Sequence, residues 1–239
     1  MNLRVVLVEP IYEGNVGSIA RAMKNFGFHQ LVMVNPCKIE NFGLAMASHA
    51  QDLIKEAEVV SSLEEALEGV CLVVGSSGVS VHGTDEHLRV PGLIPENLAT
   101  KLQGTKGDVA LLLGREDNGL TREELKICDM VVTVPTDQEY SIMNISHAAA
   151  VLFYALSQVE PGEIALASRS DQDRLYEHFR SALEKGQYPH HKLDKTMLML
   201  RRIFGRAYLT DREVQTLHGV VRSMRWGVEC QSEEPDSGE

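Results

Sequence analysis

The sequence predicts an α/β protein, with a mostly parallel sheet in its first two thirds and a small helical extension in its last third. Three observations predict this. Short β-branched runs alternate with amphipathic stretches as far as Leu156, the runs are continuously apolar, and beyond Leu156 the β signal stops while helical periodicity continues. Continuously apolar strands need cover on both faces, which is the arrangement of a parallel sheet.

The strand candidates, in chain order, are residues 3–8 (LRVVLV), 30–34 (QLVMV), 58–60 (EVV), 71–75 (CLVVG), 109–114 (VALLLG) and 130–134 (MVVTV). Helical stretches fall near 15–25, 45–56, 63–68, 95–103 and 121–127. Two of these open with a capping box, Ser62-x-x-Glu65 and Thr121-x-x-Glu124, which satisfies orphan N–H groups of a first turn. VEPGEIALASRSD then reads as a linker, and helices are expected over 171–185, closed by Gly186, over 194–205, and over 211–225, opened by Thr210-x-x-Glu213. The expected organisation is a domain at 1–160, a linker at 161–170, a basic helical extension at 171–226 and an acidic tail at 227–239. The tail is expected to be disordered.

With 44% hydrophobic and 24% charged residues, the 239-residue chain has the composition of an ordinary soluble protein. Its apolar stretches fall short of the ~20 residues a membrane span needs, and no signal-peptide pattern opens it, so a cytoplasmic protein is expected. Cys37, Cys71, Cys128 and Cys230 form no C-x-x-C pair and are read as idle or buried thiols, with neither a metal nor a disulfide framework. The net charge of −11 argues against a nucleic-acid partner, but its distribution weakens that argument. Residues 192–225 hold eight Lys and Arg against Asp194, Asp211 and Glu213, a net +5, so the rest of the chain carries −16.

Three stretches carry chemistry. EPIYEGNVGSIARAMKNFG sets Gly14 and Gly17 in the turn after the first strand and Arg21 one turn into the helix. It lacks both the G-x-G-x-x-G fingerprint and the Walker lysine, which excludes the common dinucleotide and nucleotide cradles. LLLGREDNGLTREEL leaves a strand at Gly114, and loops at the carboxyl ends of strands are where open α/β sheets place ligands. TVPTDQEYSIMNISHAAAVLFYAL puts Ser141, Asn144, Ser146 and His147 at the mouth of an apolar helix, and capping explains one polar residue there, not four.

Taken together, N-x-G-x-x-x-R (Asn15, Gly17, Arg21), L-x-G-x-E-x-x-G-L (Leu112, Gly114, Glu116, Gly119, Leu120) and V-P…S-x-x-N-x-S (Val134, Pro135, Ser141, Asn144, Ser146) resemble, in order and spacing, the three motifs of the SPOUT methyltransferases. The resemblance covers about residues 1–156. It implies an α/β-knot fold whose carboxyl-terminal strands and helix form a deep trefoil knot, S-adenosylmethionine as cofactor, no metal, and a homodimer that builds its site across two protomers. EYSIMNISHAAAVLFYAL followed by a helical extension looks most like the family's TrmJ group, tRNA 2′-O-methyltransferases acting on a pyrimidine at position 32, with cytidine 32 the expected target.

Carried over position by position, the resemblance assigns cofactor contacts to Ser76, Ser77, Gly78, Gly114, Val134, Ile142, Met143 and Asn144. Arg21 matches the family's essential arginine. A guanidinium stays protonated and is no conventional base, so Arg21 is expected to grip the phosphate beside the target ribose. Ser141 matches the functional serine and is expected to orient the 2′-oxygen, while Glu116 is counted with the catalytic set but expected to hold the loop or Arg21. Without the motifs, Arg21 would read as a surface residue paired with Glu13 or Glu9. His147 reads as a packed or interface histidine. RNA contacts are expected from Asn15 and Arg21, and from Lys195, Arg202 and Arg206, whose spacings of seven and four put them on one helix face. Bacterial relatives carry arginines just after the fourth-strand loop, where this chain offers Arg89 first, which bears on nucleotide preference. The rival readings are a ribosomal RNA 2′-O-methyltransferase of the same fold and a non-catalytic RNA-binding protein.

Overall fold

The structure, a computed structural model, describes residues 2–78, 92–137 and 139–231, with 225–231 by their backbone alone. The chain divides into two compact units, Met1–Ala165 and Leu166–Glu239.

In the first unit, six strands form one parallel sheet: β1 (Asn2–Val8), β2 (Gln30–Val34), β3 (Glu58–Val60), β4 (Leu72–Ser76), β6 (Asp108–Leu113) and β7 (Met130–Val132). Two further strands, β5 (Thr105–Lys106) and β8 (Ile164–Ala165), form a short separate pair. The sheet order is β3-β2-β1-β6-β4-β7, so β1 pairs β2 on one side (Val5 opposite Leu31) and β6 on the other (Val5 opposite Leu111). The order reverses between β1 and β6, and such a switch point opens a crevice at the carboxyl ends of the strands.

The helices of this unit are α1 (Glu13–Asn25), α2 (Asn41–Ala47), α3 (Gln51–Lys55), α4 (Leu63–Ala66), α5 (Pro95–Leu102), α6 (Arg122–Lys126) and α7 (Ile145–Leu156). On one sheet face Val6, Val8, Val32, Val34, Val73, Ala110 and Leu112 pack with Leu63, Leu67 and Val70 and with Leu125 of α6. The alternate residues Val5, Leu7, Leu111 and Leu113 point the other way and are equally buried. That double burial is why these strands read as continuous apolar runs. Thr121 and Glu124 cap α6 reciprocally, whereas at α4 Ser62 Oγ accepts from the Glu65 amide but the Glu65 carboxylate takes the amide and hydroxyl of Ser61.

Three details depart from the sequence expectation. The helix expected over 45–56 is broken into α2, a 3-10 turn at Ser48–Ala50 and α3, because Ser48 turns left-handed at φ 53°. The β5–β8 pair carries no sequence signal at two residues a strand. Gly14 and Gly17 lie inside α1 instead of in the turn before it. There Gly17 lets two helices touch, since a Cβ on it would stand 2.1 Å from the Gly43 carbonyl oxygen and 2.9 Å from the Ala47 amide of α2. Both neighbours are backbone, so Gly17→Ala should cost roughly 3 kcal/mol, the upper end of overpacking costs, read as a fall in urea midpoint at unchanged slope. An unchanged midpoint would mean that α1 and α2 separate freely.

The chain leaves β7 at the sheet edge and returns through α7 to α1, which α7 contacts directly. Residues 79–91, among them Arg89 in the loop expected to bear on nucleotide preference, lie outside the described residues.

The second unit is three helices, α8 (Arg169–Lys185), α9 (His190–Ala207) and α10 (Asp211–Gln231). Leu175, Leu209 and Val214 form one core cluster and Tyr176, Leu193 and Met197 another, with Phe179 and Phe204 packed against both. Thr210 and Glu213 cap α10, which runs on to Gln231, into the stretch expected to be disordered; residues 232–239 lie outside the described set. Of the cysteines, Cys128 is buried while Cys37 and Cys71 are half-buried, and none of these three is in a disulfide. No helix among the described residues is long and apolar enough to cross a membrane, and no group of three His, Cys, Asp or Glu among them could hold a metal ion.

Candidate active site

The three sequence motifs meet at the carboxyl end of the sheet. Glu116, in the loop after β6, accepts from the amides of Ile11 (2.8 Å) and Tyr12 (3.2 Å) and from Asn15 Nδ2 (3.1 Å). The two amides lead into α1 and Asn15 lies in its first turn, and this N-terminus carries partial positive charge and favours a carboxylate. Tyr12, at the N-cap, provides no side-chain cap of its own, so Glu116 stands in from another loop. Asn15 Oδ1 in turn accepts from Asn144 Nδ2 at 3.2 Å, and Asn144 Oδ1 takes both the amide (2.9 Å) and the hydroxyl (2.7 Å) of Ser146. One path, Glu116–Asn15–Asn144–Ser146, therefore joins all three motifs. Asn144 is both the cap of α7 and a link to α1.

Around this path lies a pocket lined by Ser76, Ser77 and Gly78 after β4, by Gly114 and Glu116 after β6, and by Val134, Ser141, Ile142 and Met143 before α7. Seven of the eight expected cofactor contacts thus line one cavity; the eighth, Asn144, sits in the chain between the lining residues Met143 and Ile145. Val132, Ile145, Ala148 and Leu152 add apolar wall that no motif signalled. The loop Gly114–Gly119 folds tightly back on itself: Gly119 takes φ 64°, Arg115 and Gly119 exchange backbone hydrogen bonds, and a Cβ on Gly114 would stand 2.2 Å from the Gly119 carbonyl carbon.

Arg115, which the sequence reading passed over, clamps this loop. Its Nε donates to Glu9 (2.9 Å) at the end of β1, and Nη1 and Nη2 form a two-pronged contact with Glu124 (3.0 Å each) in the α6 capping box. The guanidinium is held still more firmly protonated by the hydrogen bonds it donates to Glu124 and then Glu9, against its own desolvation. Burial opposes ionisation of Glu124, but the hydrogen bonds from Arg115 and the Thr121 amide more than offset it, and its carboxyl titrates below the usual range. A carboxyl depressed by folding contributes stability that is complete above its unfolded value, ~4.3, and is lost as pH falls through the folded value. Acid titration of the parent chain should therefore show a loss of stability below about pH 4 that is missing in Glu124→Gln; parallel acid profiles would remove the clamp's electrostatic role.

Arg21 lies two turns into α1, exposed and outside the pocket lining. Its reading as a partner of Glu9 or Glu13 does not hold: Glu9 pairs with Arg115, Glu13 accepts from the Glu40 amide, and among the described residues Arg21 has no ion pair. In the second unit Lys195 and Arg206 are exposed, but Arg202, expected beside them as an RNA contact, is only 6% exposed. Spacings of seven and four keep Lys195, Arg202 and Arg206 within about 40° of one another on α9, so periodicity does not separate them, and the burial of Arg202 is set by what the fold brings against that edge of the helix. Arg202 is therefore withdrawn from the RNA-facing set.

A parallel sheet carrying a polar-mouthed pocket at its carboxyl edge, with a backbone-cradling loop on each side, is the site of a group-transfer enzyme. The SpoU rRNA methylase family model matches residues 2–154, and the chain belongs to that family of methyltransferases. The model of the tRNA methyltransferase TrmJ C-terminal domain matches residues 170–235. Among similar proteins, the tRNA (cytidine-2′-O-)-methyltransferase TrmJ of Methanocaldococcus jannaschii is 36% identical over 223 residues, covering 90% of this chain and 96% of its own. The tRNA (cytidine/uridine-2′-O-)-methyltransferase TrmJ of Sodalis glossinidius is 36% identical over 251 residues, covering 99% and 96%. The crystal structure of TrmJ from Z. mobilis superposes with a TM-score of 0.75 at 26% identity, covering 94% of this chain and 99% of that one.

Proposed function

We propose that the chain transfers a methyl group from S-adenosylmethionine to the ribose 2′-oxygen of a pyrimidine in the tRNA anticodon loop, cytidine 32 first, acting in the cytoplasm as a homodimer. The observation that supports this most is the hydrogen-bond path Glu116–Asn15–Asn144, which ties the three motif loops around one pocket. The relatives named as tRNA cytidine or cytidine/uridine 2′-O-methyltransferases match over nearly their whole length.

The pocket suits the cofactor. Val132, Val134, Ile142, Met143 and Leu152 offer apolar cover for an adenosine, with Ser76, Ser77 and Ser141 at the polar positions. The lining charges, Arg115 and Glu116, are already held by partners, so neither meets a sulfonium unscreened. When bound, the cofactor supplies an electrophilic methyl group. The protein's part is placement in line and charge stabilisation. Ser141 orients the 2′-hydroxyl, and Arg21, exposed and without an ion pair, grips the adjoining phosphate. Glu116 accepts from three donors and acts as a positioning residue, not as the base.

The test is transfer of a radiolabelled methyl group to total tRNA and ribosomal RNA, with the product mapped to its nucleotide. Label on a 2′-oxygen of an anticodon-loop pyrimidine is expected. The family description favours a second reading, ribosomal RNA, and label there alone would establish it; no label on either would leave a non-catalytic RNA-binding protein. Calorimetry with S-adenosylmethionine and a chelator should show one site per chain.

A further inference from the structure

Helix α9 presents a face that the pocket does not use. Lys192, Lys195, Met199, Ile203 and Arg206 follow one another at spacings of three, four, four and three, which aligns them on a single stripe about 21 Å long at ~1.5 Å per residue. All five are exposed, Met199 at 54% and Ile203 at 42%. No acid lies on the stripe; Asp194 falls on another side of the helix and pairs with Arg180. Among the described residues none of the three cations has an ion-pair partner, and Arg206 makes only a local contact through Nε to the Arg202 carbonyl. Two large aliphatic side chains are thus held in water between cations, in a chain with a net charge of −11.

We propose that this stripe of α9 holds unpaired nucleotides of an RNA, with Lys192, Lys195 and Arg206 on phosphates and Met199 and Ile203 against the faces of bases turned out of the stack. The inference rests on the reading that the chain acts on tRNA. Charge selects a phosphate-bearing partner, since phosphate contacts supply most sequence-independent affinity. The aliphatic pair selects its form. A duplex offers phosphates, ribose and groove edges to a helix lying against it, none of which covers Met199 and Ile203. A splayed base offers an apolar face, and a thioether packs well on an aromatic ring. A second copy of the chain is the poorer occupant. A two-fold contact through this face would set Lys192 near the other Arg206 and repeat the clash at the far end.

The test uses the full chain and two RNA probes, a hairpin with an unpaired loop and a fully paired duplex, followed by fluorescence anisotropy over a range of salt. The double variant Met199→Ala, Ile203→Ala should bind the hairpin about tenfold more weakly, the scale of losing a base contact. Its salt slope and its duplex affinity should stay unchanged. Lys195→Gln with Arg206→Gln should make the hairpin's salt slope shallower by about 1.4, at ~0.7 per single-strand phosphate contact. Unchanged hairpin binding by the apolar double variant would overturn the inference. So would an equal loss on hairpin and duplex, or a change confined to oligomeric state in sedimentation. The binding readout needs no methyl transfer. Loop-dependent binding without methylation of any tRNA would sink the functional reading and keep this one, and methylation with a silent double variant would do the reverse.

Discussion

Replacing Arg21 with alanine is expected to cut methyl transfer about 10²–10³-fold, the usual effect of removing one group that stabilises developing charge, while cofactor affinity stays within a few-fold. The separation follows from where the side chain sits. The pocket is lined from the loops after β4 and β6 and before α7, whereas Arg21 lies in the third turn of α1, exposed and outside that lining. An interaction made with RNA and strengthened in the transition state lowers kcat and kcat/KM without touching cofactor binding. Arg21→Lys should recover only part of the loss, because an ammonium keeps the charge but not the planar two-pronged grip on phosphate. The check is single-turnover methylation beside calorimetry with the cofactor. A parallel fall in cofactor affinity would place Arg21 in the pocket and remove the phosphate role.

A chain ending at Ala165 should fold and bind cofactor as the full chain does, but lose at least tenfold in tRNA affinity, with a shallower salt slope, the mark of lost phosphate contacts. The division of the chain at Ala165 supports the first half of this expectation. It also moves the cut from the linker expected near residue 161, since Ile164 and Ala165 pair with Thr105 and Lys106 and belong to the α/β unit. The second half rests on charge. Residues 192–225 hold a net +5, and the cut removes this local basic stretch although the net charge stays at −11, because residues 166–239 carry as many acids as bases. Anisotropy at two salt concentrations measures both affinity and slope. Unchanged values would mean that the α/β unit holds the RNA by itself.

Much of the fold was legible because it rests on local rules. A strand buried on both faces must be apolar throughout, and that pattern located the strands of the main sheet within two residues at each end, including the exposed edge strand β3, which its two valines alone marked. Capping boxes need only residues three apart, and Ser62, Thr121 and Thr210 each open the helix they were expected to open. Motif spacing likewise gathered Ser76, Gly114, Val134 and Met143 toward one pocket, because loops at the ends of neighbouring parallel strands share an edge.

What the sequence by itself determined, then, was the order and type of elements, the residues able to line a site, and the basic character of residues 192–225. Tertiary structure decided which of those residues do which work. Glu116 became the cap of a helix begun more than a hundred residues earlier, Arg115 a clamp between β1 and α6, and Gly17 the contact point of α1 with α2. Arg202 was taken inward while Met199 and Ile203 were left in water. The physical reason is the same in each case. Periodicity says which side of an element a residue is on, but its role depends on what another part of the chain brings to that side. Carboxylates, guanidinium groups and glycines read alike in a string until a distant partner arrives at hydrogen-bond distance or in van der Waals contact.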